Sequence, residues 1–374
     1  MKRILSLLIA VICCMLFPPM SVYSEYTYDD TLSEFLKSSG AEDLLQNHEF
    51  IPEDVDFSDT SALTGMTFTG FLQKLWNMAV EEIQSPVKTL SLCMGVIILS
   101  AMASGLQTGN GKIQAVYEVL CILCASGIAS EPVTSAFVSA SGILERSADF
   151  MLAFSGIFGG ILTVSGGLTT ATVYQSSIVA LCEIAMHIAT KVLIPLLRMC
   201  LAMCIVDAVN PAVSLQGFIQ LIQKVTAWIL GLMMAVFLGM LTVQSLVAVS
   251  ADRAGTKAVK YVISGAVPII GGAVSDAYSA VLGSVGILRS GVGMVGILAL
   301  CSLFMPALLN LGIYRLLMAV SSAVSGLFMA DGLTRFFKNV ECILATGFSV
   351  AVSFSVMFVF SSASVLLISG TLSP

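Results

Sequence analysis

The sequence predicts an all-α protein: a polytopic integral membrane helical bundle with broken helices, preceded by a signal peptide and a short acidic extracytoplasmic segment. Three observations lead there. Of 374 residues, 57% are hydrophobic and only 11% are charged, whereas a soluble domain carries roughly a quarter of charged residues. The mean hydropathy of +0.96 is that of a chain in which membrane spans outnumber everything else. Thirty-one glycines, against ten prolines, suit helices that pack closely in lipid through small residues.

Residues 1–24 have the three parts of a secretory signal peptide. Lys2 and Arg3 precede an apolar run from Ile4 to Phe17, and Val22-Tyr23-Ser24 supplies a cleavage site after Ser24. The competing reading is an uncleaved first span, for which the run is short. Ile12 stands where a lipoprotein signal would place a small residue ahead of Cys13.

Residues 25–87 form the acidic extracytoplasmic segment. Between Glu25 and Asp59 there are eleven acids and one base, Lys37, a balance of −10 inside a chain whose total is −6. The patterning predicts amphipathic helices at Thr31 to Lys37 and at Phe68 to Ile83. Too small to hold a core of its own, the segment is expected to be a docking surface or else a solvated tail. No stretch clusters Lys and Arg with aromatics, so nucleic acid is excluded as a partner.

Residues 88–374 form the multispanning domain, which partners the lipid bilayer. Spans are predicted at Thr89 to Leu106, Ile113 to Ala129, Phe150 to Val164, Thr172 to Val209, Ala227 to Val249, Tyr261 to Leu288, Gly293 to Tyr314 and Ile343 to Ile368, with a weaker stretch from Leu316 to Ala330. About twenty apolar residues cross the hydrocarbon, so the expectation is about seven to nine spans. The 172–209 run is too long for one straight crossing and is expected to bend at Pro195. Arg253, Lys257 and Lys260, opposed only by Asp252, mark 251–260 as a cytoplasmic loop, and Lys112 fits the same side.

Three predicted spans contain proline: Pro195, Pro268 and Pro306. Broken helices at membrane depth are tolerated where the freed backbone is buried in protein or faces water, and they often line transport paths. A packing kink is the alternative.

No enzymatic constellation is present. Two histidines, His48 and His187, cannot build a histidine metal site, and no Gly-rich loop ends in Gly-Lys-Ser/Thr. Catalytic, cofactor-binding and metal-binding residues are therefore expected to be absent. Gly291-Val-Gly293-Met-Val-Gly296 matches the dinucleotide pattern but opens an apolar helix, so its glycines are read as packing residues. Cys121 and Cys124 are read as buried thiols on a membrane helix.

The informative polar set is Glu183, His187, Lys191 and Arg198. At about 100° per residue these fall near 0°, 40°, 80° and 60°, an arc of about 80° on one helix. Ionisable groups at membrane depth are costly and should face protein or water. The stripe is read as a pore lining, an ion relay or a subunit contact, or as two cations snorkelling to an interface. Asp276 and Gln244 are further intramembrane polar candidates. Gly156 and Gly160 make a close-packing motif suited to contact within a chain or between chains.

The order Thr242-Val243-Gln244-Ser245, the Asp252 to Lys260 segment, Val267-Pro268-Ile269-Ile270-Gly271, Asp276-Ala277 and Val295-Gly296-Ile297-Leu298 ahead of Pro306 resembles the stage III sporulation protein AE family. The likeness is strongest over residues 240–320 and only compositional over 25–87. It implies a protein of the mother-cell membrane around the engulfed forespore. It also implies membership of a secretion-like channel complex with other stage III sporulation proteins and stage II sporulation protein Q as partners. The family supplies no catalytic residues to carry over.

Three functions are compatible with these readings. The first is a channel component that acts by assembly, with a homo-oligomer as one form. The second is a secondary transporter in which Glu183, His187 or Asp276 couples to protons. The third is a membrane chaperone for channel subunits.

Overall fold

The computed structural model describes residues 84–105, 111–164, 168–209, 215–266 and 271–372. The signal peptide, residues 25–83 of the acidic segment and Pro268 lie outside the described residues. Among the described residues every element is a helix. In chain order these are α1 (Gln84–Gly105), α2 (Gly111–Val164), α3 (Leu168–Ile188), a π-helical turn (Ala189–Leu193), α4 (Ile194–Val209), α5 (Gln216–Ala266), α6 (Gly271–Leu327) and α7 (Asp331–Leu372). A chain this apolar has no water with which to satisfy its backbone in lipid, so each segment must close its own hydrogen bonds.

Among the described residues six helices are long and apolar enough to cross a membrane: Ser85–Met102, Val116–Gly160, Ala171–Val209, Gln216–Thr242, Ala299–Leu327 and Asp331–Ala363. Several expected boundaries shift. The spans expected at 113–129 and 150–164 lie on the single helix α2, which runs through Pro132 without a break. The stretches 293–314 and 316–330 likewise merge, since α6 continues through Pro306 and ends at Leu327. Pro306 therefore does not break its helix. The expected 251–260 loop is helical too, forming part of α5. Charge clusters and single prolines signalled ends here, but a charged stretch can stay helical by bonding its own backbone. At 1.5 Å per residue α2 is about 81 Å long, well beyond the ~30 Å hydrocarbon layer.

The core forms around α7. Its membrane segment is the most buried of the six and that of α5 the least, 56% against 17%. Helices α6 and α7 make an antiparallel hairpin closed at Met329, whose φ of 55° is left-handed. Ala330 N–H bonds to Ser325 O at 3.1 Å and Met329 N–H to Gly326 O at 3.2 Å. This is the paired arrangement that ends many helices, with methionine where glycine is usual.

Aromatic rings fill much of the interior. Phe150, Phe154, Phe158 and Tyr174 follow one another at centroid distances of 5.7, 5.8 and 5.9 Å, and Phe304 meets Phe358 at 6.0 Å. Gly296 of α6 lets Phe154 approach, because a Cβ there would strike the ring. The pattern Gly291 to Gly296 thus lies inside a long helix, and Gly296 is a packing glycine.

Candidate functional site

Local sequence dictates the turn before α4. Pro195 has no N–H to give to the carbonyl of Lys191 and its ring crowds that oxygen. The helix responds by widening over Ala189–Leu193, where the Ile194 N–H reaches back to Ala189 O. The Thr190 hydroxyl, in the distorted turn, donates to Met186 O one turn back in α3 at 2.8 Å. The disruption expected at Pro195 is therefore a π turn on its N-terminal side. One extra residue in a turn rotates everything beyond it by about 100°, so Arg198 is swung relative to Glu183 and His187.

Glu183, His187, Lys191 and Arg198 all lie exposed on the outside of the bundle, beside exposed Ile184, Val192 and Met199. None makes a hydrogen bond or an ion pair with another described residue. Among the described residues they line no interior path.

A second charged group, absent from the sequence reading, joins them. Helix α2 pairs with α3 in antiparallel register: Phe158 stacks near Tyr174, Gln175 sits over Gly159, and Gln175 Nε2 donates to Ser155 O at 3.5 Å. Asp149 lies close enough to Cys182 to act on it electrostatically. Continuing that register puts Glu145 level with His187, and Asp149 level with Glu183. Glu145, Arg146 and Asp149 are all exposed. One outward belt therefore carries ionisable groups from two helices. Their signal in the sequence was the Glu-Arg-x-x-Asp cluster at 145–149, which reads as a loop between two short spans.

Gly156 and Gly160 stand on the same outward side of α2 and have open space where a Cβ would be. Among the described residues no atom lies within 4 Å of a Cβ built at either position. The glycine that serves intrachain packing is their neighbour Gly159, where any side chain would collide with Gln175.

The interior holds a different polar centre, between α4, α5 and α7. Asp207 is 5% exposed. One carboxylate oxygen accepts the Leu215 N–H at 2.7 Å, at the start of α5. The other accepts from Asn339 Nδ2 at 3.2 Å. Nearby, the Cys342 thiol donates to Gln223 Oε1 at 3.4 Å. A similar link joins α2 to α7, where Glu118 Oε1 accepts the Gly332 N–H at 3.1 Å. Both carboxylates occupy a helix N-terminus, where unpaired N–H groups and the helix dipole favour negative charge.

Gln244 lies on α5 and Asp276 on α6, but their side chains are outside the described residues. Cys124 is exposed and Cys121 half-buried, which corrects the expectation of two buried thiols. Among the described residues no three His, Cys, Asp or Glu side chains are placed to hold a metal ion.

Comparison with known proteins adds a family. The model of Stage III sporulation protein AE (spore_III_AE) matches residues 58–370. The chain is similar to stage III sporulation protein AE of Bacillus subtilis (strain 168), with 24% identity over 289 residues, covering 74% of this chain and 69% of that protein. No solved structure matches it.

Proposed function

This chain belongs to the stage III sporulation protein AE family, and from that premise we infer that it is a membrane component of a transenvelope channel linking mother cell and forespore. Family membership supports a role in sporulation, and six membrane-competent helices make it a membrane protein. The finer reading is that it sits in the mother-cell membrane around the forespore. There it meets other stage III sporulation proteins and stage II sporulation protein Q, and supports late forespore development. It acts by assembly, not by catalysis.

One observation carries the assembly reading: the outward belt of Glu145, Arg146, Asp149, Glu183, His187 and Lys191. A transporter that coupled protons through these groups would turn them toward an internal path. On the outside of a membrane bundle, unpaired charges are tolerable only where protein or water covers them.

Deleting the gene in its sporulating host tests this. Forespores should complete engulfment and then stall, and tagged protein should co-purify with other stage III sporulation proteins. Normal spore yield from the deletion strain would overturn the proposal.

A further inference from the structure

Two outer surfaces of this molecule differ in kind. From Val225 to Gly239, α5 exposes only apolar or glycine residues, among them Trp228, Leu232, Val236 and Leu238. Hydrocarbon tails cover such a surface at no electrostatic cost. The α2–α3 surface is the opposite. Among the described side chains between Gly127 and Thr163, the only large apolar ones that α2 exposes are Val138 and Leu152. The remaining exposed positions are Gly, Ser, Thr or charged.

The charges on this surface are of both signs. Glu145, Asp149 and Glu183 lie among Arg146 and Lys191, with His187 beside them. Among the described residues the one ion pair within 4.0 Å is elsewhere, Arg315 with Glu341 at 3.9 Å. A partner of single sign would leave the groups of that same sign unmatched. A partner carrying the same mixed set would not.

Depth makes the match specific. The antiparallel register of α2 and α3 places Glu145 level with His187 and Arg146 within a turn of Glu183. A two-fold axis along the membrane normal keeps both copies in one orientation, so groups at equal depth face each other. Glu145 of one copy then meets His187 and Lys191 of the other, and Arg146 meets Glu183. The glycines lie on the same side: relative to Glu145, Asp149 falls near 40°, Gly156 near 20° and Gly160 near 60°, at about 100° per residue. Side-chain-free positions there let two backbones approach.

The stripe also lies well inside its apolar run. Twelve residues of Ala171–Val209 precede Glu183 and eighteen follow Lys191, about 18 Å and about 27 Å of helix. Neither end brings the middle of the stripe to water by a short reach.

We propose that the outward face of α2, α3 and the π turn, from Glu145 to Gly160 and from Glu183 to Lys191, is where a second copy of this chain docks as a two-fold dimer. The sporulation reading is not needed for this, and the test uses the full chain in membranes of a non-sporulating host. A photocrosslinking amino acid at Gly156 should give an adduct of twice the chain mass, while the same group at Trp228, on α5, should not. Glu145→Lys should lower the Gly156 adduct several-fold, and Glu145→Lys combined with Lys191→Glu should restore it. Adducts only to lipid or to a host protein from position 156, with the protein present at normal level, would overturn the proposal. So would dimer adducts of equal yield from positions 156 and 228.

Discussion

Asp207 and Asn339, 132 residues apart in the chain, meet through a carboxylate–amide hydrogen bond of 3.2 Å in the bundle interior. The same carboxylate accepts the Leu215 N–H, so one side chain fixes the end of α4, the start of α5 and the N-terminal part of α7. A buried carboxylate is costly unless its oxygens are bonded, and here both are.

Removing that carboxylate leaves the Asn339 amide and the Leu215 N–H without a partner. Asp207→Ala should therefore destabilise the protein by about 2–3 kcal/mol, while Asp207→Asn, which keeps an acceptor oxygen for Leu215, should cost less. Thermal unfolding in detergent, followed by helical circular dichroism, measures the difference. Equal melting temperatures for wild type and Asp207→Ala would refute the staple role.

Neither residue stood out in the sequence. Asp207 closes an apolar run just ahead of Asn210-Pro211, where an acid reads as the polar edge of a span, and Asn339 sits among charged neighbours. The all-helical character was legible because composition alone leaves lipid no other backbone solution. The stripe from Glu183 to Lys191 was legible too, since spacing of four residues needs only helical periodicity. Its direction was not, because periodicity gives a face without saying what covers it. The register between α2 and α3 depends on contacts such as Phe158 with Tyr174, which no local pattern encodes. The π turn also cost the angular estimate its last member: a proline announces a disruption, but not the extra residue that rotates Arg198.

The Glu118 link makes a second prediction, because it demands a residue without a side chain. A Cβ on Gly332 would lie 2.7 Å from Glu118 Oε1 and 2.7 Å from Ile122 Cδ1. Gly332→Ala should thus separate the start of α7 from α2 and lower stability by about 1–3 kcal/mol, the range of overpacked sites. Glu118→Gln keeps an acceptor for the Gly332 N–H and should be milder. A shift in melting temperature that is larger for Glu118→Gln than for Gly332→Ala would contradict this geometry.

Met329 offers a change in the opposite direction. It holds a φ of 55°, is 87% exposed, and contributes its N–H to the hairpin between α6 and α7. A left-handed backbone costs an L-residue roughly 1 kcal/mol that glycine avoids, against some added freedom in the unfolded chain. Met329→Gly should leave stability unchanged or raise it by about 1 kcal/mol, read again from thermal unfolding. A clear drop would mean that the side chain has a packing or membrane contact outweighing the backbone relief.

The two neighbouring glycines of α2 separate folding from association. At Gly159 an added side chain meets Gln175, whose amide reaches Ser155 O across the helix pair, whereas at Gly156 it enters open space. Gly159→Leu should therefore loosen the α2–α3 pair, lowering the melting temperature of the detergent-solubilised protein. Gly156→Leu should leave the melting temperature of dissociated monomer close to wild type, because none of the described residues comes within 4 Å of a Cβ at that site. Its effect should appear between chains: a leucine on a face built for close backbone approach holds the copies apart, so dimer adducts from a crosslinker at Gly160 should fall several-fold. If Gly156→Leu instead unfolds the monomer while Gly159→Leu is tolerated, the outward and inward sides of α2 have been assigned the wrong way round.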